Sequence, residues 1–235
     1  MNWLLKFFTS SIGNKLLMSL TGLFLCTFLL VHMVGNLQLF QQDGGESFNL
    51  YAKFMTTNPL IKFTSYGLYA TFILHAIKGI LLWSYNRSAR GGSYAGKDKP
   101  ATRHSFAAYN MATWGIIIFA FLGLHLAQFW AKMHFFNMPM ATYGVGENAV
   151  EVKDLYAIVK EAFSQPWVVV VYLISLAALA LHLLHGFASA FQSLGLNHKK
   201  YTPIIQGLGT AFSILVPLAY AAMPVYFFIL SMKGL

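Results

Sequence analysis

The sequence reads Leu23-Phe-Leu-Cys-Thr-Phe-Leu-Leu-Val-His32 in its first long apolar stretch, so one histidine lies deep among residues that favour lipid. Three further apolar stretches hold one such histidine each, His75, His125 and His182. An imidazole is costly in hydrocarbon, and an ionisable residue inside a membrane span is therefore a functional hypothesis by default. The predictions for both the fold and the site start from these histidines.

The composition indicates an integral membrane protein. Of the 235 residues, 57% are hydrophobic and 10% are charged, whereas soluble domains carry about 25% charged residues. Five stretches reach the roughly 20 apolar residues with which a helix crosses a bilayer. We therefore predict one all-α domain over residues 1–235, a bundle of five transmembrane helices near residues 14–40, 60–85, 107–134, 166–193 and 203–231.

The distribution of charge predicts the orientation. Basic residues concentrate near the start of the first span and in the loops after the second and fourth spans, and the other two loops hold nearly all the acids. By the positive-inside rule, the N-terminus is cytoplasmic and the C-terminus lies outside. The net charge of +9 is thus explained by orientation or by a docked subunit rather than by nucleic acid. With Cys26 as the only cysteine and no CxxCH motif, an iron–sulfur cluster and c-type haem attachment are excluded.

Residue counts from the cytoplasmic end of each span place the histidines at two shared depths. His32 and His125 each lie about 18 residues into their spans, whereas His75 and His182 lie about 10 and 11 residues in. At the helical rise per residue, the two levels differ by roughly 12 Å. We therefore predict two b haems with two axial histidines each, a proximal haem between His75 and His182 and a distal haem between His32 and His125.

Small residues beside the proximal ligands agree with a gap for a flat macrocycle. His75 and His182 are both followed at i+4 by a glycine, Gly79 and Gly186, which lies on the same helix face. Such stripes of small residues also simply pack membrane helices together. Lys78 lies one turn from His75 and is a candidate partner for a haem propionate, or it snorkels to the interface without a further role.

Two alternatives stay open around the ligands. His185 rivals His182 as the fourth ligand, and His182 is preferred because its depth and its glycine at i+4 match those of His75. Arg87, Arg90 and Arg103 are further candidates to pair with propionates, or they are ordinary signals of topology.

The set and order of these motifs resemble the di-haem cytochrome b subunit of succinate:quinone oxidoreductases and fumarate reductases, in its single-subunit form with five helices. The resemblance rests on Ser10-Ser-Ile-Gly-Asn-Lys15, Thr21-Gly22, His32-Met-Val-Gly-Asn36 and the three later histidines. It implies the same haem pairing as the depth count. It also implies a multi-pass protein of the bacterial cytoplasmic membrane that works as a subunit of an enzyme.

The resemblance implies partners as well. A flavoprotein that carries FAD and an iron–sulfur protein would dock on the cytoplasmic face, and the chemistry on succinate would take place there. The electron partner in the membrane would be a quinone, menaquinone by analogy with the family. Both directions, succinate oxidation and fumarate reduction, agree with the resemblance.

By the same analogy, the quinone lies near the distal haem. Asn36 and Gln128 lie one turn beyond the distal ligands, and Glu46 follows in the same zone. We take these three residues as a group of candidates because a quinone carbonyl needs a donor and a carboxylate can carry protons. Interfacial anchoring is the alternative for each of them.

One departure from the family concerns protons. Some di-haem fumarate reductases are described as using a transmembrane glutamate close to the fourth ligand for compensating proton movement. Here no Asp or Glu lies in any predicted span, and Leu181 precedes His182. We therefore expect that route to be absent and electron transfer to be uncompensated.

Two other classes of protein compete with this interpretation. The first is the di-haem b subunit of another membrane oxidoreductase, of the nitrate reductase or hydrogenase type. Those subunits tend to place two ligands on one helix, whereas the four best ligands here lie on four helices. The second is a membrane transporter without haem, against which stand the missing intramembrane acids and the lack of an obvious repeat with broken helices.

Overall fold

The computed structural model describes residues 2–89 and 106–234, so Arg90 and Arg103 lie outside the described residues. Five of the described helices are long and apolar enough to cross a membrane: Ser11–Phe40, Pro59–Ser88, Met111–Phe135, Pro166–Ser193 and Thr202–Met232. The prediction of a predominantly helical membrane chain with five spans is confirmed. The sides of the membrane on which the termini lie stay a prediction.

The secondary structure follows the chain in this order: α1 (Trp3–Thr9), α2 (Ser11–Asn36), a 3₁₀ turn (Leu37–Phe40), α3 (Glu46–Thr57), α4 (Pro59–Ala89), α5 (Phe106–Tyr109), α6 (Met111–His125), a π-helical segment (Leu126–Ala131), α7 (Lys132–Phe135), β1 (Met140–Tyr143), a second 3₁₀ turn (Gly146–Asn148), β2 (Val150–Lys153), α8 (Leu155–Phe163), α9 (Pro166–Ser193) and α10 (Thr202–Met232). The predicted ends of the spans differ from these by up to four residues, because hydropathy locates a span more sharply than it locates the residue at which the helix ends.

Local sequence explains where α4 starts. The Asn58 side chain accepts hydrogen bonds from the backbone N–H groups of Leu60 (3.0 Å) and Ile61 (3.3 Å), and Pro59 occupies the first helical position. An asparagine cap followed by proline is a strong start signal, because the cap satisfies free N–H groups and the fixed φ of proline suits a helix. Pro166 occupies the same first position in α9.

Contacts divide the chain into two compact units. Unit 1 comprises residues 1–28, 68–119 and 177–215, and unit 2 comprises residues 29–67, 120–176 and 216–235. His75 and His182 both belong to unit 1, and His32 and His125 both belong to unit 2. Each predicted ligand pair therefore lies inside a single unit.

Unit 1 is built on small residues. Its buried residues in the described part are mostly serines and alanines: Ser19, Ala107, Ala178, Ala190 and Ser213, with Leu183 as the large exception. Small side chains let helix backbones approach closely, which is how membrane helices pack. Large apolar side chains point outward instead; Ile73, for example, is 59% exposed. This arrangement suits a helical unit surrounded by lipid.

Unit 2 has a larger apolar core and a polar cap. Its core cluster consists of Leu39, Phe48, Val159, Phe163, Val168, Val169, Tyr172, Met223 and Phe227. The cap is formed by α3, α8 and the antiparallel hairpin of β1 and β2, in which Met140 pairs with Lys153. The sequence patterns predict no helix or strand in these loops, whereas the structure has two short helices and a hairpin there.

Asn49 holds the cap of unit 2 together. It is only 1% exposed, and its amide nitrogen donates to the Tyr143 hydroxyl (2.8 Å) and to the Asp154 carboxylate (2.9 Å). Its oxygen accepts from the backbone N–H of Tyr156 (2.9 Å). One side chain thus ties α3 to the hairpin and to the start of α8. Periodicity does not reveal such a link, because the partners are about 100 residues away in the sequence.

Candidate functional site

The structure brings together the histidines that the depth count pairs. In unit 1, the ring centroids of His75 on α4 and His182 on α9 are 6.3 Å apart, with 66° between the ring planes. In unit 2, the centroids of His32 on α2 and His125 at the end of α6 are 6.0 Å apart, with 88° between the planes. Two pairs of facing imidazoles thus lie on four membrane-length helices.

These separations fit axial ligation of one metal by each pair. An imidazole nitrogen binds a metal at about 2 Å, so two nitrogens on opposite sides of one ion are about 4 Å apart and the ring centroids about 6 Å apart. Within residues 2–89 and 106–234, no group of three or more His, Cys, Asp or Glu side chains is placed to hold a metal ion. A pair of imidazoles alone suits haem, in which the macrocycle supplies the other ligands.

His75 is held by a threonine. The His75 Nδ1 lies 3.0 Å from the Thr21 hydroxyl on α2, and that hydroxyl donates its proton to the Leu17 carbonyl at 2.7 Å. Because a hydroxyl has one proton, Thr21 is left to accept the hydrogen bond from His75. The Nδ1 then carries the proton, and the Nε2 lone pair is the one available to a metal.

His182 has a different environment. Its Nδ1 is buried and has no hydrogen-bond partner in the described structure, an arrangement that costs about 1–3 kcal/mol and is rare in folded proteins. A Cβ built at Gly115 would lie 3.9 Å from the His182 Cε1. A Cβ built at Gly22 would likewise lie 3.4 Å from the His75 Cε1. Both rings of this pair thus have a glycine beside them.

The two glycines predicted from the sequence differ in what surrounds them. A Cβ at Gly186 would meet no atom within 4 Å, although the residue is partly buried. A Cβ at Gly79 would meet the end of the Met18 side chain at 3.5 Å. Space for a cofactor is therefore more evident at Gly186 than at Gly79, and the role of both glycines stays a prediction.

His125 is held by a tyrosine. The Tyr172 hydroxyl on α9 lies 3.2 Å from the His125 Nδ1 and donates to the Gln128 side-chain oxygen at 2.8 Å. Gln128 lies in the π-helical segment that begins directly after His125, and such segments occur frequently at functional sites. The residue predicted as a quinone donor is thus linked to the ligand through Tyr172.

His32 is in contact with Asn36 and Tyr220. The Asn36 amide nitrogen donates to the His32 carbonyl (2.6 Å) and lies 3.3 Å from the His32 Nδ1. The Tyr220 ring packs against the His32 ring at 5.8 Å, and its hydroxyl donates to the Leu29 carbonyl at 2.7 Å. The distal pair therefore has several polar neighbours.

Glu46 lies in the first turn of α3. No hydrogen bond in the described structure joins it to Asn36 or Gln128. Unit 2 also contains a cavity of about 370 Å³ that none of the three candidates lines; the polar residues in its walls include Asn49, Lys53, Lys62, His134, Glu151 and Lys153. The quinone role of the three residues stays a prediction.

Lys78 is engaged by the N-terminal segment. Its Nζ donates to the Asn14 side chain at 2.8 Å and to the Phe8 carbonyl at 3.4 Å. It also lines a cavity of about 300 Å³ with Thr9, Ser11, Asn14, Leu81, Leu82 and Tyr85. Arg87 lies over the Trp83 ring, 5.6 Å from its centroid. Pairing of either cation with a propionate stays a prediction.

The shifted ionisable groups outside the spans belong to the cap of unit 2. Hydrogen bonds from Ser47 and from the backbone of Gly45 lower the pKa of the Asp43 carboxyl. Burial raises the pKa of the Tyr51 and Tyr156 hydroxyls. The five membrane-length helices contain no Asp or Glu, so no carboxyl group within them is available to carry a proton.

The sequence patterns assign no role to Thr21, Tyr172 or Tyr220. Thr21 lies inside the Thr21-Gly22 motif. Tyr220 offers one usable signal, because tyrosine in a membrane helix is enriched at the interface, whereas Tyr220 lies well inside α10. Which ring each hydroxyl meets depends on helix rotation, which the sequence does not specify.

No protein-family model, curated protein or solved structure matches this chain. The resemblance to the di-haem cytochrome b subunits therefore stays an expectation from the sequence motifs quoted above.

Proposed function

We propose that this chain is the membrane-anchor and electron-transfer subunit of a succinate:quinone oxidoreductase. In this proposal, two b haems with two axial histidines each lie between a docked iron–sulfur subunit and quinone in the membrane. The observation that carries it is the pair of imidazole separations, 6.3 Å and 6.0 Å, on helices long enough to span a bilayer.

Side chains in both units would supply the ligands of such a haem, orient them and exclude water. When bound, a haem with two histidine ligands exchanges one electron and leaves no open position for substrate. His75 and His182 would hold one group in unit 1, and His32 and His125 would hold the other in unit 2. Thr21 and Tyr172 orient one ring of each pair, and the lipid-facing apolar side chains of the helices exclude water.

The first experiment is haem quantification with a reduced-minus-oxidised spectrum on the purified chain. We expect two b haems per chain. In the His32, His75, His125 and His182 alanine variants, we expect one haem to be lost, the same one for both members of a pair. The spectrum tests the metal, and the pattern of loss tests the pairing.

His185→Ala is the matched control, because His185 lies on the same helix as His182, less than one turn further along. It should retain both haems. A chain without haem would contradict the proposal and return the histidines to structural or transport roles. Loss of one haem in His185→Ala but not in His182→Ala would identify His185, rather than His182, as the fourth ligand.

The family-level part of the proposal concerns partners and location. We propose a flavoprotein with FAD and an iron–sulfur subunit on the cytoplasmic face of a bacterial membrane, with menaquinone as the electron partner. The test is affinity purification of the tagged chain from its native membrane, followed by a succinate:quinone assay. Co-purification of nitrate reductase or hydrogenase subunits would instead support the rival di-haem class.

We also propose that electron transfer across the membrane is uncompensated. Acidic residues are absent from the five spans, and Leu181 precedes His182. Succinate oxidation by a low-potential quinone should then be assisted by the membrane potential. In proteoliposomes, we expect turnover to respond to an imposed potential. Proton uptake through the protein that cancels this response would contradict the proposal.

A further inference from the structure

We infer that the hydroxyl groups of Thr21 and Tyr172 are positioning groups that fix the tautomer of one imidazole in each histidine pair and thereby lower the midpoint potential of the haem held there. The inference rests on the proposed function, because it concerns the ligands of the same two sites. It assigns a role to two residues for which the sequence patterns provide none.

The Thr21 hydroxyl has a single proton, which it donates to a carbonyl of its own helix. Its Oγ1 lies 2.7 Å from the Leu17 carbonyl and 3.1 Å from the Met18 carbonyl, as expected for a threonine that bonds back to the preceding turn of its helix. The contact with the His75 Nδ1 at 3.0 Å must then run from the ring N–H to the hydroxyl. His75 is held as the Nδ1–H tautomer, with Nε2 as the ligand atom.

In unit 2, the Tyr172 hydroxyl makes the equivalent contacts with His125 and Gln128. Its hydroxyl donates to the Gln128 oxygen at 2.8 Å, so its contact with the His125 Nδ1 at 3.2 Å is an acceptor contact. The chain of bonds runs from His125 through Tyr172 to Gln128. In both units, an acceptor at Nδ1 is polarised by its own onward hydrogen bond, and such chains strengthen each member.

The other member of each pair has different neighbours. The His182 Nδ1 has no hydrogen-bond partner in the described structure, and the His32 Nδ1 lies 3.3 Å from the amide nitrogen of Asn36. Each site therefore has one imidazole whose Nδ1–H donates to a hydroxyl. Such donation raises the basicity of a metal-bound imidazole and favours the more positive, ferric state of the iron.

The test is a spectroscopic redox titration of the purified chain with haem bound, with Thr21→Val and Tyr172→Phe as the variants. Thr21→Val replaces the hydroxyl by a methyl group of similar size, and Tyr172→Phe removes the hydroxyl alone. We expect Thr21→Val to raise the potential of the haem lost in His75→Ala, and Tyr172→Phe to raise that of the haem lost in His125→Ala. A tenfold change in the ferrous-to-ferric preference, the scale of effects that outer ligand-supporting groups exert, corresponds to about 59 mV for one electron.

A matched control exists on the same helix. The Thr27 hydroxyl donates to the Leu23 carbonyl, as Thr21 does to Leu17. Thr27→Val should leave both potentials unchanged. Thr21→Ser restores the acceptor and should restore the wild-type potential, which a purely structural role of the threonine methyl group would not do.

The outcomes separate this inference from the proposed function. Two haems whose potentials do not move in Thr21→Val and Tyr172→Phe would overturn the inference and leave the proposed function standing. A fall in potential would also overturn it, because the hydroxyls would then be donors to the rings. A wild-type chain that binds no haem would refute both.

Discussion

The two units hold similar histidine pairs in different surroundings. In unit 1, the Thr21 hydroxyl lies beside His75, and the His182 Nδ1 has no hydrogen-bond partner in the part of the chain that the structure describes. In unit 2, the pair is bordered by Asn36, Tyr172 and, through Tyr172, Gln128. Unit 2 also carries a cap of helices and a hairpin over a core of large apolar residues.

The difference indicates that the units depend on different forces. Small residues and close helix approach maintain unit 1, so an added side chain beside a histidine is the sensitive change there. The hydrogen bonds of Asn49 maintain the cap of unit 2, so loss of a hydrogen bond is the sensitive change there.

The largest effect is expected from filling the space beside His182. Gly115→Leu adds a branched side chain at a position where a Cβ alone would contact the His182 Cε1 at 3.9 Å. We therefore expect the larger side chain to displace the His182 ring. We expect the haem content to fall from two to one per chain, with the His32 and His125 site intact. Haem quantification and the spectrum of the remaining haem measure this.

Gly123→Leu is the matched control on the same helix. A Cβ at Gly123 would meet no atom within 4 Å, and the residue is exposed. It should retain both haems. If Gly115→Leu retained two haems as well, the small residues of unit 1 would serve helix packing alone.

The second effect concerns the cap of unit 2. Asn49→Ala removes three hydrogen bonds at a site that is 1% exposed and leaves the Tyr156 N–H and the Asp154 carboxylate without this partner. We expect a loss of about 3 kcal/mol in the free energy of unfolding. On heating, the distal haem should be released first, while the unit 1 haem stays bound.

Thermal melts in detergent, followed by the absorbance of each haem, measure that order of release. Asn148→Ala is the control, because Asn148 is exposed and its side chain makes none of these bonds. Simultaneous release of both haems in Asn49→Ala would show that the units do not differ in this way.

The third effect concerns the glycine of the His32-Met-Val-Gly35-Asn36 motif. A Cβ at Gly35 would overlap the Tyr51 ring of α3, so Gly35→Ala should destabilise unit 2 by about 1–3 kcal/mol through overpacking. Chemical denaturation monitored by circular dichroism gives the change. Gly67→Ala, where a Cβ would meet nothing within 4 Å, is the control.

A double variant sharpens this prediction. If the clash with the ring is the cause, Tyr51→Ala should cancel most of the cost of Gly35→Ala, and the two changes should be strongly non-additive. Additive costs would mean that Gly35 matters for another reason, such as the placement of His32 one turn earlier.

The five spans and the pairing of the histidines followed from the sequence because both depend on spacing along helices. Span length follows from apolar composition, and a count of residues gives the depth of each histidine. The partners of the rings did not follow. Whether Thr21 or another residue of α2 meets His75 depends on helix rotation, which residues spread along the whole interface determine together.

The cap of unit 2 was missed for a second reason. Its residues appear in the sequence as acidic loops, and the acids of the described chain all belong to unit 2: Asp43, Glu46, Glu147, Glu151, Asp154 and Glu161. Short elements of four to twelve residues have weak periodicity, and they are stabilised here by long-range contacts such as those of Asn49.

The smallest effect is a pH dependence at the start of α3. The Asp43 carboxylate accepts hydrogen bonds from the backbone N–H groups of Gly45 (3.0 Å) and Ser47 (2.9 Å). A hydrogen bond from the Ser47 side chain is the largest cause of the lowered pKa of Asp43, and the backbone bonds add to it. Its contribution to stability is therefore fully present above the unfolded pKa, about 4, and is lost as the pH falls through the lower folded value. Because the carboxylate is only partly buried, solvent screens it and we expect only about 0.5 kcal/mol.

Asp43→Asn isolates this contribution. The variant should be less stable than wild type at pH 7 by that small amount, and the difference should shrink below about pH 4, where the wild-type carboxyl takes up its proton. Denaturation curves at pH 7 and at low pH measure it, with the distal haem as the local probe. A difference that stays constant with pH would assign the effect to the turn geometry of residues 43–45 rather than to the charge, and the acid sensitivity of unit 2 would then have to come from the remaining acids of its cap.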